Sequence, residues 1–373
     1  MVGGRGLGPM TRCMAVADEA RRRGHSAHFL IREEFVSLAE QFGFSWTLAV
    51  KPQRKQAGPP IGDTWTEIAA HLGITDEGYL EKTLRLETEI IRKFRPDYAF
   101  MESNVTLPLT CIQNSIPFGS TFTWADTADL RLHTREMSVG SLADAILFHN
   151  RYLESYGVGA IADLSELVTK FATVITVPMI PSLEPEISTK EQFAFVGHLL
   201  FEPLEYQDMP LKVKRCGDES ACLYVYLSTS DVSRAVWSSS LDALSKSGIG
   251  LIAAGTSGSS SDWLPGGTAM SKADVVLHAG TANTMMLAIK HGVPQLLLPH
   301  NDSERLYHSE KLALEGAGEI VEEEILGDEE RFRSKVLSLA FEPKFQEASL
   351  RLCNQLEQYN GPAQAMDLIE AAR

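Results

Sequence analysis

Short apolar runs alternate with amphipathic stretches along this chain. Residues 11–23 place Cys13, Met14, Ala17 and Ala20 on one face of a helix, with Thr11 positioned to cap it. Arg21, Arg22 and Arg23 suit the negative end of that helix, and Gly24 stops it. Strands are expected at 27–31 and 44–50, and an amphipathic helix at 80–94, broken by Arg95 and Pro96. A strand at 98–101 carries Glu102 and Ser103 at its tip. A helix at 107–114 and a strand at 117–123 follow, then helices to about residue 170 and strands at 174–177 and 193–196. Between these, residues 51–65 are rich in Pro, Gly and basic side chains and read as a long loop, expected to shape a ligand pocket.

Residues 203–220 are polar and aperiodic, as a linker between domains would be. A second cycle then begins: strand 223–227, helix 231–247, strand 250–254, a Ser/Gly loop at 255–262, strand 274–277, helix 285–290 and strand 295–298. Terminal helices are expected at 328–339, 346–358 and 363–372. The predicted fold is α/β, with two doubly wound domains at 1–202 and 221–373 joined by the linker at 203–220. Sheets of this kind bind ligands at the carboxyl ends of their strands, so the expected site lies in a cleft between the domains. The glycine-rich start should follow a parallel strand, and Met1 and Val2 are too short to form one, so an upstream segment is expected.

Composition narrows the class. Of the 373 residues, 44% are hydrophobic and 22% charged, the balance of a soluble globular protein. A net charge of −15 argues against a nucleic-acid partner. Five scattered cysteines without a C-x-x-C suggest neither a zinc site nor a disulfide framework. No apolar run is long enough to span a membrane, and the start is not a signal peptide. A reducing, cytoplasmic setting is the expectation, with no metal and no cofactor. A homodimer is compatible with the sequence.

The stretch 263–318 carries the chemistry. A buried strand ends at His278, a small-residue turn follows (Ala279, Gly280, Thr281, Ala282), and Asn283 and Thr284 open a helix that Gly292 and Pro294 stop. A second strand comes next. Such a turn aims backbone N–H groups at the start of a helix, where an anion is stabilised.

Further pieces stand in a fixed order: Gly6-Leu7-Gly8-Pro9 at the start, Arg95-Pro96-Asp97 before a strand, and Val196-Gly197-His198-Leu199 at the end of the first domain. The second domain has Leu227-Ser228-Thr229, Trp263-Leu264-Pro265, Ala273-Asp274, His278 to Thr284, Gly292-Val293-Pro294 and Pro299. The whole resembles the GT-B glycosyltransferases, specifically the nucleotide-sugar-dependent family that uses UDP- or dTDP-sugars and includes macrolide and plant natural-product enzymes. It is also similar to the lipid-II-forming enzyme of cell-wall synthesis.

The resemblance implies a nucleotide-diphosphate sugar donor in the second domain and a small-molecule acceptor in the first. Trp263 would stack near the nucleobase, with Leu264 giving backbone contacts. Thr229 falls on the donor side. His278, Gly280, Ala282, Asn283 and Thr284 would hold the diphosphate without a metal. Asp302, Ser303 and Glu304 would meet the sugar hydroxyls, although these residue types also suit the cap of the helix that starts near Arg305. His278 alone would read as a core histidine; the signature around it makes it a ligand contact.

Gly8 and Pro9 mark the acceptor side, and there the chain departs from the family. Pro9 stands where the family's usual general base is a histidine, and proline cannot accept a proton. Glu102 is the candidate replacement. The expected activity is an inverting transfer of a hexose. The alternative is a catalytically silent relative that binds a nucleotide sugar or serves another enzyme. A dinucleotide-dependent oxidoreductase fits poorly, because no G-x-G-x-x-G follows a full strand.

Overall fold

The computed structural model of the chain describes residues 7–53, 64–127, 142–202, 221–227, 244, 248–254, 266–299 and 302–373. The chain divides into two compact units. One comprises Met1–Pro178, Glu186–Leu199 and Gly361–Arg373, the other Met179–Pro185 and Leu200–Asn360.

In the first unit the described elements are α1 (Gly8–Arg22), β1 (His28–Ile31), α2 (Val36–Gln41), β2 (Ser45–Leu48), α3 (Trp65–His71), α4 (Glu77–Phe94), β3 (Ala99–Met101), α5 (Leu107–Asn114), β4 (Phe118–Thr121), α6 (Leu142–Ser155), α7 (Glu166–Phe171), β5 (Val174–Val177) and β6 (Phe193–Phe195). β1 pairs with β2, and β3-β4-β5-β6 form a second sheet, with every pairing parallel. Parallel neighbours need crossover connections, which α2 provides between β1 and β2, α5 between β3 and β4, and α6 and α7 between β4 and β5.

α1 buries Met10, Met14 and Ala17. Pro9 sits in its first turn, where a missing N–H removes no intrahelical bond. α3 begins where the expected loop at 51–65 ends; residues 54–63 of that loop lie outside the described residues. Thr64 Oγ1 accepts the Glu67 N–H at 3.2 Å, and Glu67 Oε2 accepts the Thr64 N–H at 3.0 Å. This reciprocal cap fixes a helix start that the proline-rich approach had obscured. Trp65 Nε1 then donates to Asp126 Oδ1 at 3.0 Å.

The second unit contains β7 (Cys222–Tyr226), β8 (Gly250–Ala254), α8 (Gly266–Met270), β9 (Val275–His278), α9 (Ala282–Lys290), β10 (Gln295–Leu297), α10 (Ser303–Leu314), β11 (Gly318–Ile320), α11 (Glu329–Phe341) and α12 (Pro343–Leu356). Its parallel sheet has the order β11-β10-β9-β7-β8. Successive residues of each strand serve opposite faces. Leu223, Val225, Val275 and Leu277 pack with Phe332, Val336 and Leu339 of α11 and Phe345 of α12. Cys222, Tyr224 and Val276 pack with Met270 and Ala288 on the other side. A sheet buried on both faces reads as continuous apolar runs, which is why these strands were legible. The strand order reverses between β7 and β9, so their carboxyl ends flank the point where ligands of such sheets bind.

The last helix, α13 (Gly361–Ala371), corrects the expected boundaries. The sequence reading put 363–372 in the second domain, but the helix belongs to the first unit. Ala365, Met366 and Ile369 pack with Val16 of α1 and with Val196 and Leu199. Arg23 bonds Asp367 at 2.7 Å and Glu370 at 2.8 Å. Gly361 marks the entry: its N–H donates to Val196 O at 2.8 Å, and a Cβ there would lie 2.2 Å from His198 O. An apolar helix face does not name the sheet that it covers, so only the tertiary contacts decide.

Candidate functional site

The turn after β9 follows from the close approach of α10. β9 is buried throughout and ends at His278. Gly280 has φ +74°, and a Cβ there would lie 2.4 Å from Ser309 Oγ and 2.9 Å from Arg305 O, so glycine is required on both counts. Thr281 precedes α9 in an extended conformation, and its Oγ1 donates to Thr284 Oγ1 at 3.0 Å. The first-turn N–H groups of a helix have no carbonyl one turn back, and they face an incoming anion.

His278 has a different position from the expected one. The ring is fully buried. The Gly280 N–H donates to its Nδ1 at 3.1 Å, so the ring proton sits on Nε2 and is donated to Gln295 Oε1 at 2.8 Å. Gln295 Nε2 continues the chain to Met285 O in α9 at 3.3 Å. Burial pushes the His278 pKa down to about 4, against the Gln295 bond and with the help of the Arg305 charge. The ring is therefore neutral, and it holds the turn through the Gly280 N–H. The same bond takes up the Gly280 N–H, one of the donors expected for the diphosphate.

The cation at this turn is Arg305, which the sequence reading named only as a helix start. Its main chain packs against Gly280 and its charge reaches His278. Asp302 caps α10: its Oδ1 accepts the Arg305 N–H at 3.1 Å, and its Oδ2 lies 3.5 Å from Arg305 Nε. Ser303 is buried and Glu304 exposed, so the three residues expected to line up on sugar hydroxyls do not share one environment. His308 and Glu184, both fully buried, pair at 2.7 Å and tie the 179–185 segment to α10. Thr229, Trp263 and Leu264 lie outside the described residues.

In the first unit, Glu102 follows β3 and is 2% exposed. Arg12 of α1 grips it with both prongs, Nε to Oε1 at 2.7 Å and Nη2 to Oε2 at 2.9 Å. A carboxylate held in this way has both oxygens engaged by a bidentate, charge-assisted pair. Next to Arg12 in sequence, Cys13 is partly buried, and desolvation together with the Glu102 charge pushes its thiol up to about 12.

The loop after Glu102 is anchored from below. Asn104 Oδ1 accepts the N–H groups of Thr106 and Leu107, both at 2.8 Å. Thr106 Oγ1 and Thr110 Oγ1 donate to the buried Glu87 at 2.7 and 2.6 Å. Burial raises the Glu87 carboxyl to about 7, despite these hydroxyl donors. His149 Nε2 bonds Val105 O at 3.1 Å, and burial lowers that ring to about 4. Gly8 and Pro9 are partly exposed at the start of α1, one turn before Arg12.

Among the described residues no group of three or more His, Cys, Asp or Glu side chains is placed to hold a metal. No described helix is long and apolar enough to cross a membrane.

Residues 240–371 match the family model of the erythromycin biosynthesis protein CIII-like C-terminal domain. No curated protein matches the chain. Over nearly its whole length it is similar to three solved structures. CalG4, the calicheamicin glycosyltransferase, is 19% identical with a TM-score of 0.73, covering 99% of this chain and 96% of that one. The glycosyltransferase of kitacinnamycin is 16% identical with a TM-score of 0.74, covering 99% and 97%. The spinosyn rhamnosyltransferase SpnG, complexed with thymidine diphosphate, is 14% identical with a TM-score of 0.68, covering 97% and 96%. The chain has the GT-B fold of these glycosyltransferases.

Proposed function

We propose that this protein is an inverting glycosyltransferase of the natural-product type, which moves a hexose from a UDP or dTDP donor to a small-molecule acceptor. The observation that carries the reading is the β9–α9 turn. It is an anion-binding helix start at the strand-order reversal of the second unit, and it lies within the segment matched by the family model. SpnG, a structural neighbour, was solved with thymidine diphosphate and also with spinosyn aglycone, which supports a diphosphate and an aglycone as the two ligands. The first-turn amides of α9 and the hydroxyls of Thr281 and Thr284 hold the diphosphate. Arg305 supplies the positive charge, and His278 sets the turn. As the sugar is transferred, the leaving diphosphate gains charge, and the same donors stabilise it.

Calorimetry with UDP, dTDP and their sugars tests this reading. Saturable binding that is weakened by Arg305→Ala supports it, and a folded chain that binds none of them rules it out.

The grip of Arg12 on Glu102, with Pro9 nearby, favours a second reading: a relative that binds a nucleotide sugar without transferring it. Donor binding without nucleotide release across a broad acceptor panel separates the two.

A further inference from the structure

A buried hydroxyl lies against the turn after β9. Ser309 of α10 is fully buried, and its Oγ has no hydrogen-bond partner among the described residues. A hydroxyl buried in this way destabilises the fold, and alanine would fill the position without that penalty. The Oγ faces the turn itself. It lies 2.4 Å from where a Gly280 Cβ would be, and the Arg305 carbonyl lies 2.9 Å from the same point. Ser309 thus borders the space that glycine leaves open. It follows Arg305 by four residues, and side chains so spaced share one face of a helix.

The surrounding elements are fixed. The Gly280 N–H is bonded to His278 Nδ1. The carbonyls of His278 and Thr281 accept the N–H groups of Leu298 and Met285, at 2.9 and 3.0 Å. The other two carbonyls of the turn, those of Ala279 and Gly280, are the acceptors open to Ser309. Across the turn, the nine-residue α9 has no side-chain cap and no acidic residue in its first turn, so its dipole favours an anion. The buried pair of His308 with Glu184 anchors α10 beside Ser309.

We infer that Ser309 is a positioning residue for the nucleotide donor, its hydroxyl bonding to the β9–α9 turn in the diphosphate-bound state. This rests on the donor-binding reading above and adds a residue to that site. An anion held by the first-turn amides of α9 attracts Arg305, which draws α10 and the turn together. The Ser309 hydroxyl then donates to the carbonyl of Ala279 or Gly280 and locks the turn in its binding conformation. Ser309 acts through the backbone and does not touch the ligand.

The test is calorimetry of the full chain with UDP and dTDP, beside thermal melts without ligand. Ser309→Ala should melt higher than the parent and yet bind both diphosphates about fivefold more weakly, the net contribution of one hydrogen bond made only in the bound state. Ser309→Cys, similar in size with a weaker donor, should fall between the two in affinity. A merely structural hydroxyl would move stability alone. If Ser309→Ala melts higher with unchanged affinity, or is less stable than the parent, the inference is overturned and donor binding stands. A folded parent that binds neither diphosphate removes the donor reading and this inference with it.

Discussion

The turn after β9 and the loop after β3 invite the same reading and have opposite roles. Each follows the carboxyl end of a parallel strand, and each carries a titratable side chain of the kind that catalysts use. Both side chains are buried and bonded within their own unit. His278 is held neutral by one donor and one acceptor, and the result is a set backbone turn. Glu102 is gripped through both oxygens by a guanidinium, and the result is a fixed ion pair between α1 and the end of β3. A titratable residue at a strand end is thus read from its partner rather than from its type.

The largest effect should come from opening the Arg12–Glu102 pair. Glu102→Ala leaves a guanidinium 13% exposed without its carboxylate. A loss of about 3 kcal/mol is expected in urea unfolding. The double variant Arg12→Met, Glu102→Leu should recover most of it, because apolar replacements carry no unpaired charge. If the single variant is as stable as the parent, the pair is not the fixed unit described.

Acid and base should separate two other buried groups. His278 titrates near 4 in the fold and near 6.5 when unfolded, so between those values the unfolded chain binds more protons. Its contribution is full above pH 6.5 and is lost as the pH falls towards 4. Glu87 is the reverse: its carboxyl titrates near 7 against an ordinary 4.5, so its contribution is lost as the pH rises through that window. Each is worth about 3 kcal/mol across its range. Thermal melts from pH 4 to 8 should show His278→Gln losing the acid sensitivity, and Glu87→Gln gaining on the parent as the pH rises. Variants that track the parent at every pH would remove these two groups from the account.

Gly280→Ala comes next, at about 2 kcal/mol. The added Cβ meets Ser309 Oγ at 2.4 Å and Arg305 O at 2.9 Å, in a backbone conformation that L-residues avoid. Since the strain moves the turn against α10, nucleotide diphosphate affinity should fall along with stability. A stable variant with unchanged affinity would mean that the turn is not the binding element.

These outcomes bear on what a chain reveals before it folds. Strands β7, β9 and β10 were legible because both faces of the sheet are buried, and so was the turn at Gly280, where a glycine follows a strand. The locks were not. His278 and Gln295 are 17 residues apart, Arg12 and Glu102 are 90, and Glu184 and His308 are 124. No local pattern encodes a pairing at such separations. The same holds for α13, whose apolar face gives no sign that it packs on α1. In contrast, the cap on α3 was local, Thr64 and Glu67 at capping-box spacing, and went unread because the preceding prolines dominated.

The smallest effect gives the most discriminating comparison within the second unit. Asp302 and Asp328 each cap a helix, accepting an N–H three residues on, at 3.1 Å for Arg305 and 3.0 Å for Arg331. Each replacement by alanine should lower stability by about 1 kcal/mol. Asp328 caps α11 through the Arg331 N–H and serves as the control. Asp302 adjoins Arg305, so its second oxygen remains near the proposed donor charge. If Asp302 is a cap alone, the two variants match in melting temperature and in donor affinity. If it also meets a sugar hydroxyl, Asp302→Ala weakens binding of the nucleotide sugar while leaving the bare nucleotide diphosphate unaffected, and Asp328→Ala changes neither. Equal effects on both ligands would assign Asp302 to Arg305 rather than to the sugar.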